Sequence, residues 1–222
     1  CPTGVDMARM KIEFLSHYKA RHGHTLRDRA VAYLPRYAPW ASRLAPLANL
    51  LQPLVAPLAG FTDRRALPQW RRDRFVDRAW PKRGEREVVL WVDTFNRYFE
   101  PDNARAAVRV LEAGGYRVHI AEPPGGGRPL CCGRTFLSVS KVDDAKAEAR
   151  RTLDALAPWV ANAVPILGLE PSCLYTLKDE FTALLPGEAS RALAAQAMLF
   201  EEFLAGEHEA GRLRLALKPL AR

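Results

Sequence analysis

Three short apolar runs, each followed by a stretch with helical periodicity, dominate the second half of the chain, and that alternation leaves little choice but a parallel sheet. EVVLWVD (87–93), YRVHIAE (116–122) and VPILGLE (164–170) read as strands. Helices are predicted over 101–112, stopped by Gly114 and Gly115, and over 143–160. Two more follow, one starting near Ser172 and one over 187–204, where Ala189, Leu193, Ala197, Phe200 and Leu204 recur at helical spacing. Neighbouring parallel strands cannot be joined by a tight turn and need a crossover, so the reading is a βαβ-type α/β domain over 87–222.

The first 86 residues carry a different pattern. The opening, CPTGVDMARMKIEFLSHYKARHG, sets Thr3 and Asp6 at capping-box spacing ahead of an imperfect helical stripe that ends near Gly23. Residues 44–61, LAPLANLLQPLVAPLAGF, hold no charge, but Pro46, Pro53 and Pro57 interrupt them, and Asn49 and Gln52 would need partners in lipid. Short broken helices packed on the protein are expected there; Arg43, Arg64 and Arg65 on the flanks leave a peripheral membrane seat open. The basic, aromatic stretch 64–86 reads as an extended connector with Trp70, Phe75 and Trp80 docked onto the domain.

Loops at the carboxyl ends of parallel strands share one edge, where ligands bind. The assignment puts Asp93 and Thr94, the glycine loop running into Cys131-Cys132-Gly133, and Glu170-Pro171-Ser172-Cys173 on that edge. Cys173 opens a helix, whose unpaired amides are expected to favour its thiolate. A turn at Gly133 lets both preceding sulfurs face one centre, and thiolates select zinc, Cu(I) or iron-sulfur species. Buried reduced cysteines, acting as small hydrophobes, are the alternative. The glycines at 125–127 lack the spacing of a phosphate loop.

The net charge of +8 permits a nucleic acid or an anionic surface as partner. The basic residues are interspersed with acids, and no zinc-finger or helix-turn-helix signal is present, so no nucleic-acid partner is expected. Adjacent cysteines without a signal peptide point to a reducing, cytoplasmic compartment, with the inner face of the membrane as the peripheral option.

Cys1-Pro2 followed by a helix resembles the end of the ferredoxin run CxxCxxCxxxCP, whose last cysteine ligates a 4Fe-4S cluster. With VDTFNRYFEP, CCG and GLEPSC in that order, the chain resembles the C-terminal iron-sulfur, cysteine-rich (CCG) region of FAD-linked oxidases of the D-lactate and D-2-hydroxyglutarate dehydrogenase type. It is similar also to the iron-sulfur subunits of anaerobic glycerol-3-phosphate dehydrogenase, glycolate oxidase and heterodisulfide reductase.

The resemblance implies three parts: residues 1–24 as the end of a ferredoxin-like domain, 25–86 as a helical and basic linker, and 87–222 as the first half of a CCG domain. Both ends then fall inside longer motifs. It implies an electron-transfer portion that passes electrons from FAD, held outside this chain in a flavin dehydrogenase domain or subunit, to a quinone or another redox protein. Cys1 would belong to a 4Fe-4S cluster of the parent, and Cys131, Cys132 and Cys173 would be metal ligands, with Glu170 and Asp93 as weaker candidates. The pattern has cysteine where this chain has Thr94 and Glu170. That departure leaves a second role open, a non-redox docking module that has lost cluster ligands.

Overall fold

The computed structural model describes residues 4–76 and 84–216; Cys1, Trp80 and the last six residues lie outside them. Four strands, β1 (Arg86–Trp91), β2 (Tyr116–Ile120), β3 (Ile166–Gly168) and β4 (Ala197–Leu199), form one sheet in the order β2-β1-β3-β4. Every pairing is parallel, with Val88 opposite Val118, Trp91 opposite Gly168 and Gly168 opposite Leu199. The expected α/β class and parallel sheet are present.

Each strand takes its place through its side-chain alternation. Val88, Leu90 and Val92 enter one core with Val118 and Leu167; Val89, Trp91 and Ile166 enter the other with Ala197. The first core is closed by α6 (Pro101–Ala113) through Ala104, Val108 and Leu111, and by Phe203 of α12 (Phe200–Glu209). The second is closed by α8 (Val142–Ala161) through Ala149 and Leu156, and by α11 (Glu188–Gln196) through Leu193. A central strand with both faces covered must be apolar along its length, which is why 88–92 contains no polar residue. Each large side chain buried there contributes roughly 1.5–3 kcal/mol.

Two expectations are corrected. The single helix over 187–204 is instead α11, β4 and α12 in succession. Residues 197–199 pair with 166–168, and backbone pairing to an open sheet edge overrides the helical spacing of their side chains. The broken helices over 44–61 are one continuous α4 (Ala45–Leu58). Pro46 sits in the first turn, where its missing N–H costs nothing, and Pro53 and Pro57 face outward, where solvent can reach the carbonyls they leave unpaired. No described helix is long and apolar enough to cross a membrane.

The leading helices are α1 (Met7–His22), α2 (Leu26–Ala32) and α3 (Leu34–Arg43). Thr25 and Asp28 close a reciprocal capping box at the start of α2. The segment that follows α4 is tied by Asn49, which accepts from the Trp70 N–H (2.8 Å) and donates to the Trp70 carbonyl (3.0 Å). Trp70 then packs at a tilt against the Phe99 ring, and Phe75 is buried under α6.

At the far end, Glu207 of α12 accepts from Tyr116, Arg86 and Arg212, which fixes α12 to the first residues of β1 and β2. Arg212 beside it, with Tyr116 and Arg86, holds the Glu207 carboxyl at about 2, against the cost of burial. A carboxyl lowered on folding stabilises above its unfolded value, and that contribution fades as pH falls through its folded value. Glu207→Ala is expected to cost about 2 kcal/mol at neutral pH and far less near pH 2, measurable by urea unfolding at both.

Candidate functional site

The strand order places the point where the chain reverses its direction of winding between β1 and β3, and the crevice outside their carboxyl ends is the default ligand site of such sheets. Two residues past the paired ends Trp91 and Gly168 stand Asp93 and Glu170. Each caps a five-residue helix, α5 (Thr94–Tyr98) and α9 (Pro171–Tyr175). Asp93 accepts from the Phe95 N–H (2.8 Å), the Asn96 N–H (3.0 Å) and the Asn96 side chain (2.6 Å). Glu170 accepts from the Ser172 hydroxyl (2.8 Å). Burial pushes the Asp93 carboxyl up against those hydrogen bonds, and the neighbouring Glu170 charge adds to the rise.

The paired cysteines arrive from the long loop after β2. Gly133, at φ +81°, turns the chain into α7 (Arg134–Leu137), and the turn aims backbone donors at both sulfurs. The Gly133 N–H donates to Cys131 Sγ (3.4 Å) and the Arg134 N–H to Cys132 Sγ (3.4 Å). Thr152 of α8 donates to the Cys131 carbonyl (2.9 Å), and Glu148, buried beside it, holds Arg128 and Arg151 around the loop. Cys173 enters from α9, so that the Cys132 thiol lies in hydrogen-bonding reach of both Cys131 and Cys173. All three thiols are free.

Their surroundings keep them protonated. Cys131, Cys132 and Cys173 are 4%, 1% and 4% exposed. The hydrogen bond with Cys132 and then burial raise the Cys131 thiol well above its usual range. Cys132 is pulled down by Cys131, but the bond to Cys173 and burial outweigh that. For Cys173 the bond with Cys132 lowers the value, but burial with the charges of Asp93, Cys131 and Glu170 outweighs it, and the thiol is raised. The expected thiolate at the helix start is therefore corrected: desolvation and the nearby acids outweigh whatever the helix start contributes. Among the described residues, no three His, Cys, Asp or Glu side chains are arranged to hold a metal ion.

The leading helices pack against α7 and the end of α5 beside the cysteine turn, which sequence reasoning missed. Ala32 of α2 packs with Phe136 and Leu137 of α7, and Thr135 donates to the Ala32 carbonyl (3.0 Å). Tyr33 meets the Phe136 ring edge-on, with the Arg36 guanidinium over that ring. Ala38 of α3 packs on Tyr98 and Phe99 beside α5. A capping box followed by small residues at 30, 32 and 38 is the only sequence trace of this cover.

The chain is similar to part of two D-2-hydroxyglutarate dehydrogenases. The one from Pseudomonas putida KT2440 is 27% identical over 202 residues, 82% of this chain and 19% of that protein. The one from Escherichia coli K12 is 26% identical over 208 residues, 85% of this chain and 20% of that protein. The chain thus spans about a fifth of the length of these curated relatives. No family model matches it, and neither does any solved structure.

Proposed function

We propose that this chain is part of a flavin-linked 2-hydroxy-acid dehydrogenase and serves there as a scaffold module that keeps the thiols of a cluster site without the cluster. The likeness to D-2-hydroxyglutarate dehydrogenases supports the substrate class. FAD and the substrate base would lie outside this chain, in a flavin domain or subunit that the module docks. The observation that carries the scaffold role is the state of the three thiols: free, no more than 4% exposed, and kept protonated by burial and by one another.

The donor set does not fit a 4Fe-4S cubane, which takes four thiolates. Three sulfurs are present, Thr94 is buried in the first turn of α5, and the Glu170 carboxylate is engaged by Ser172. No electron step is therefore routed through this site. The second reading, an electron-transfer site feeding a quinone or redox-protein acceptor, is favoured by two observations. Thiols from two separate strand-to-helix junctions meet, and the buried Trp91 indole N–H in the same apolar cluster has no hydrogen-bond partner among the described residues.

Iron and acid-labile sulfide analysis of the intact protein separates the two, comparing it with Cys131→Ser, Cys132→Ser and Cys173→Ser. The scaffold reading expects unchanged iron and unchanged electron flow to an acceptor, and no modification of these thiols by a thiol reagent at neutral pH until the protein unfolds. Loss of iron in any of the three variants overturns it.

A further inference from the structure

Helix α4 is amphipathic in the wrong sense for a water-soluble surface. Its inward positions are Ala45, Ala48, Asn49, Gln52 and Ala56, Leu51 and Val55 stand half-exposed at the edge of the cleft beneath the helix, and Leu47, Leu50, Leu54 and Leu58 face out. Leu50, Leu54 and Leu58 are 72%, 69% and 81% exposed. The helix is held by polar ties: Asn49 to the Trp70 backbone, and Gln52 donating to the Pro68 carbonyl (3.1 Å). Beneath it lies an apolar cleft of about 530 Å³, so tight packing is not what fixes it. A contiguous exposed apolar face of this kind marks an interaction surface.

We propose that α4 lies in the plane of an anionic lipid surface with its leucine face immersed. Its 14 residues give a length of about 21 Å, too short to cross a hydrocarbon core of about 30 Å and suited to lying along it. No charge occurs from Leu44 to Phe61, and the charges begin at both ends: Arg43 before the helix, Arg64 and Arg65 after it, and Arg27 packed over Phe61. None of these four arginines has an ion-pair partner among the described residues, and Asp63 is the one acid within the flanking run 62–65. Trp40, one turn ahead, is 64% exposed with the Arg43 guanidinium over its ring, the pairing of aromatic and cation that suits the headgroup layer. Basic flanks around an uncharged leucine face complement an anionic bilayer better than an apolar protein groove, which needs no such rim.

The test is flotation of the intact protein with vesicles of phosphatidylcholine alone and with phosphatidylglycerol added. Co-flotation is expected with the anionic vesicles and should weaken with salt. It should fall about a hundredfold or more in Leu50→Ser/Leu54→Ser, because each leucine withdrawn from lipid costs about tenfold or more in affinity. Arg43→Gln/Arg64→Gln/Arg65→Gln should abolish the preference for anionic lipid. Both sets of side chains are exposed, so circular dichroism should be unchanged; a polarity-sensitive fluorophore on Leu54→Cys, blue-shifted only by anionic vesicles, gives the same answer without removing the face. The proposal is overturned if the intact protein fails to float with anionic vesicles, or floats equally well without the leucines. It is overturned also if the variant loses only a concentration-dependent dimer, which assigns the face to a second copy, or if the fluorophore is already shielded before vesicles are added, which assigns it to another part of the polypeptide.

Discussion

Gly133→Val is expected to destabilise the protein by about 4 kcal/mol in urea unfolding, the sum of a left-handed backbone position forced on a β-branched residue and an overpacked contact. Gly133 has φ +81°, and a Cβ there would stand 3.0 Å from the Ala145 carbonyl oxygen and 3.3 Å from the Ala145 Cα. Those atoms belong to the backbone of α8 and cannot swing aside. The turn also delivers the N–H groups that meet Cys131 and Cys132, so a shift would spread to both sulfurs. Gly206→Ala is the matched control. It lies inside α12 with nothing within 4 Å of the added Cβ, and it should be neutral or stabilising. Equal losses in the two variants would remove Gly133 from its structural role.

Phe136→Ala is expected to cost about 3–5 kcal/mol, as for other fully buried aromatic rings. Its ring is 0% exposed and joins the leading helices to the cysteine turn: Ala32 and Tyr33 pack against it from one side, Leu137 and Ala145 from the other. The loss should be local first. Hydrogen exchange should rise in α2, α3 and α7 while the β1–β3 pairing stays protected, and Cys131 and Cys132 should become titratable by a thiol reagent in the folded protein. Exchange that rises uniformly across the sheet would show that the cover and the sheet form one cooperative unit.

How much of this was legible in the sequence depends on whether local pattern or distant packing decides each element. β1, β2 and β3 announce themselves as apolar runs because a covered parallel sheet demands continuous hydrophobicity. β4 does not: three residues, Ala197 to Leu199, lie between two helices and share their spacing, so only the pairing with β3 distinguishes them. The meeting of Cys131, Cys132 and Cys173 followed from placing strand ends on one edge. Their protonation did not, since it rests on burial among side chains brought together from distant parts of the chain, Trp91, Leu130, Leu156 and Leu174, and on the carboxylates of Asp93 and Glu170 near Cys173. Asp93 and Glu170 themselves were placed correctly at that edge, where they cap α5 and α9.

The way α4 is fastened separates two properties that are usually linked. Because amide side chains anchor it to the chain that follows, and its leucines contribute almost nothing to the interior, wetting or drying its outer side leaves the fold's own energy nearly untouched. If α4 adsorbs as proposed, binding and release can be tuned by substitution at 47, 50, 54 and 58 without selecting against folding, and the free and attached molecules need differ in nothing but what those leucines touch.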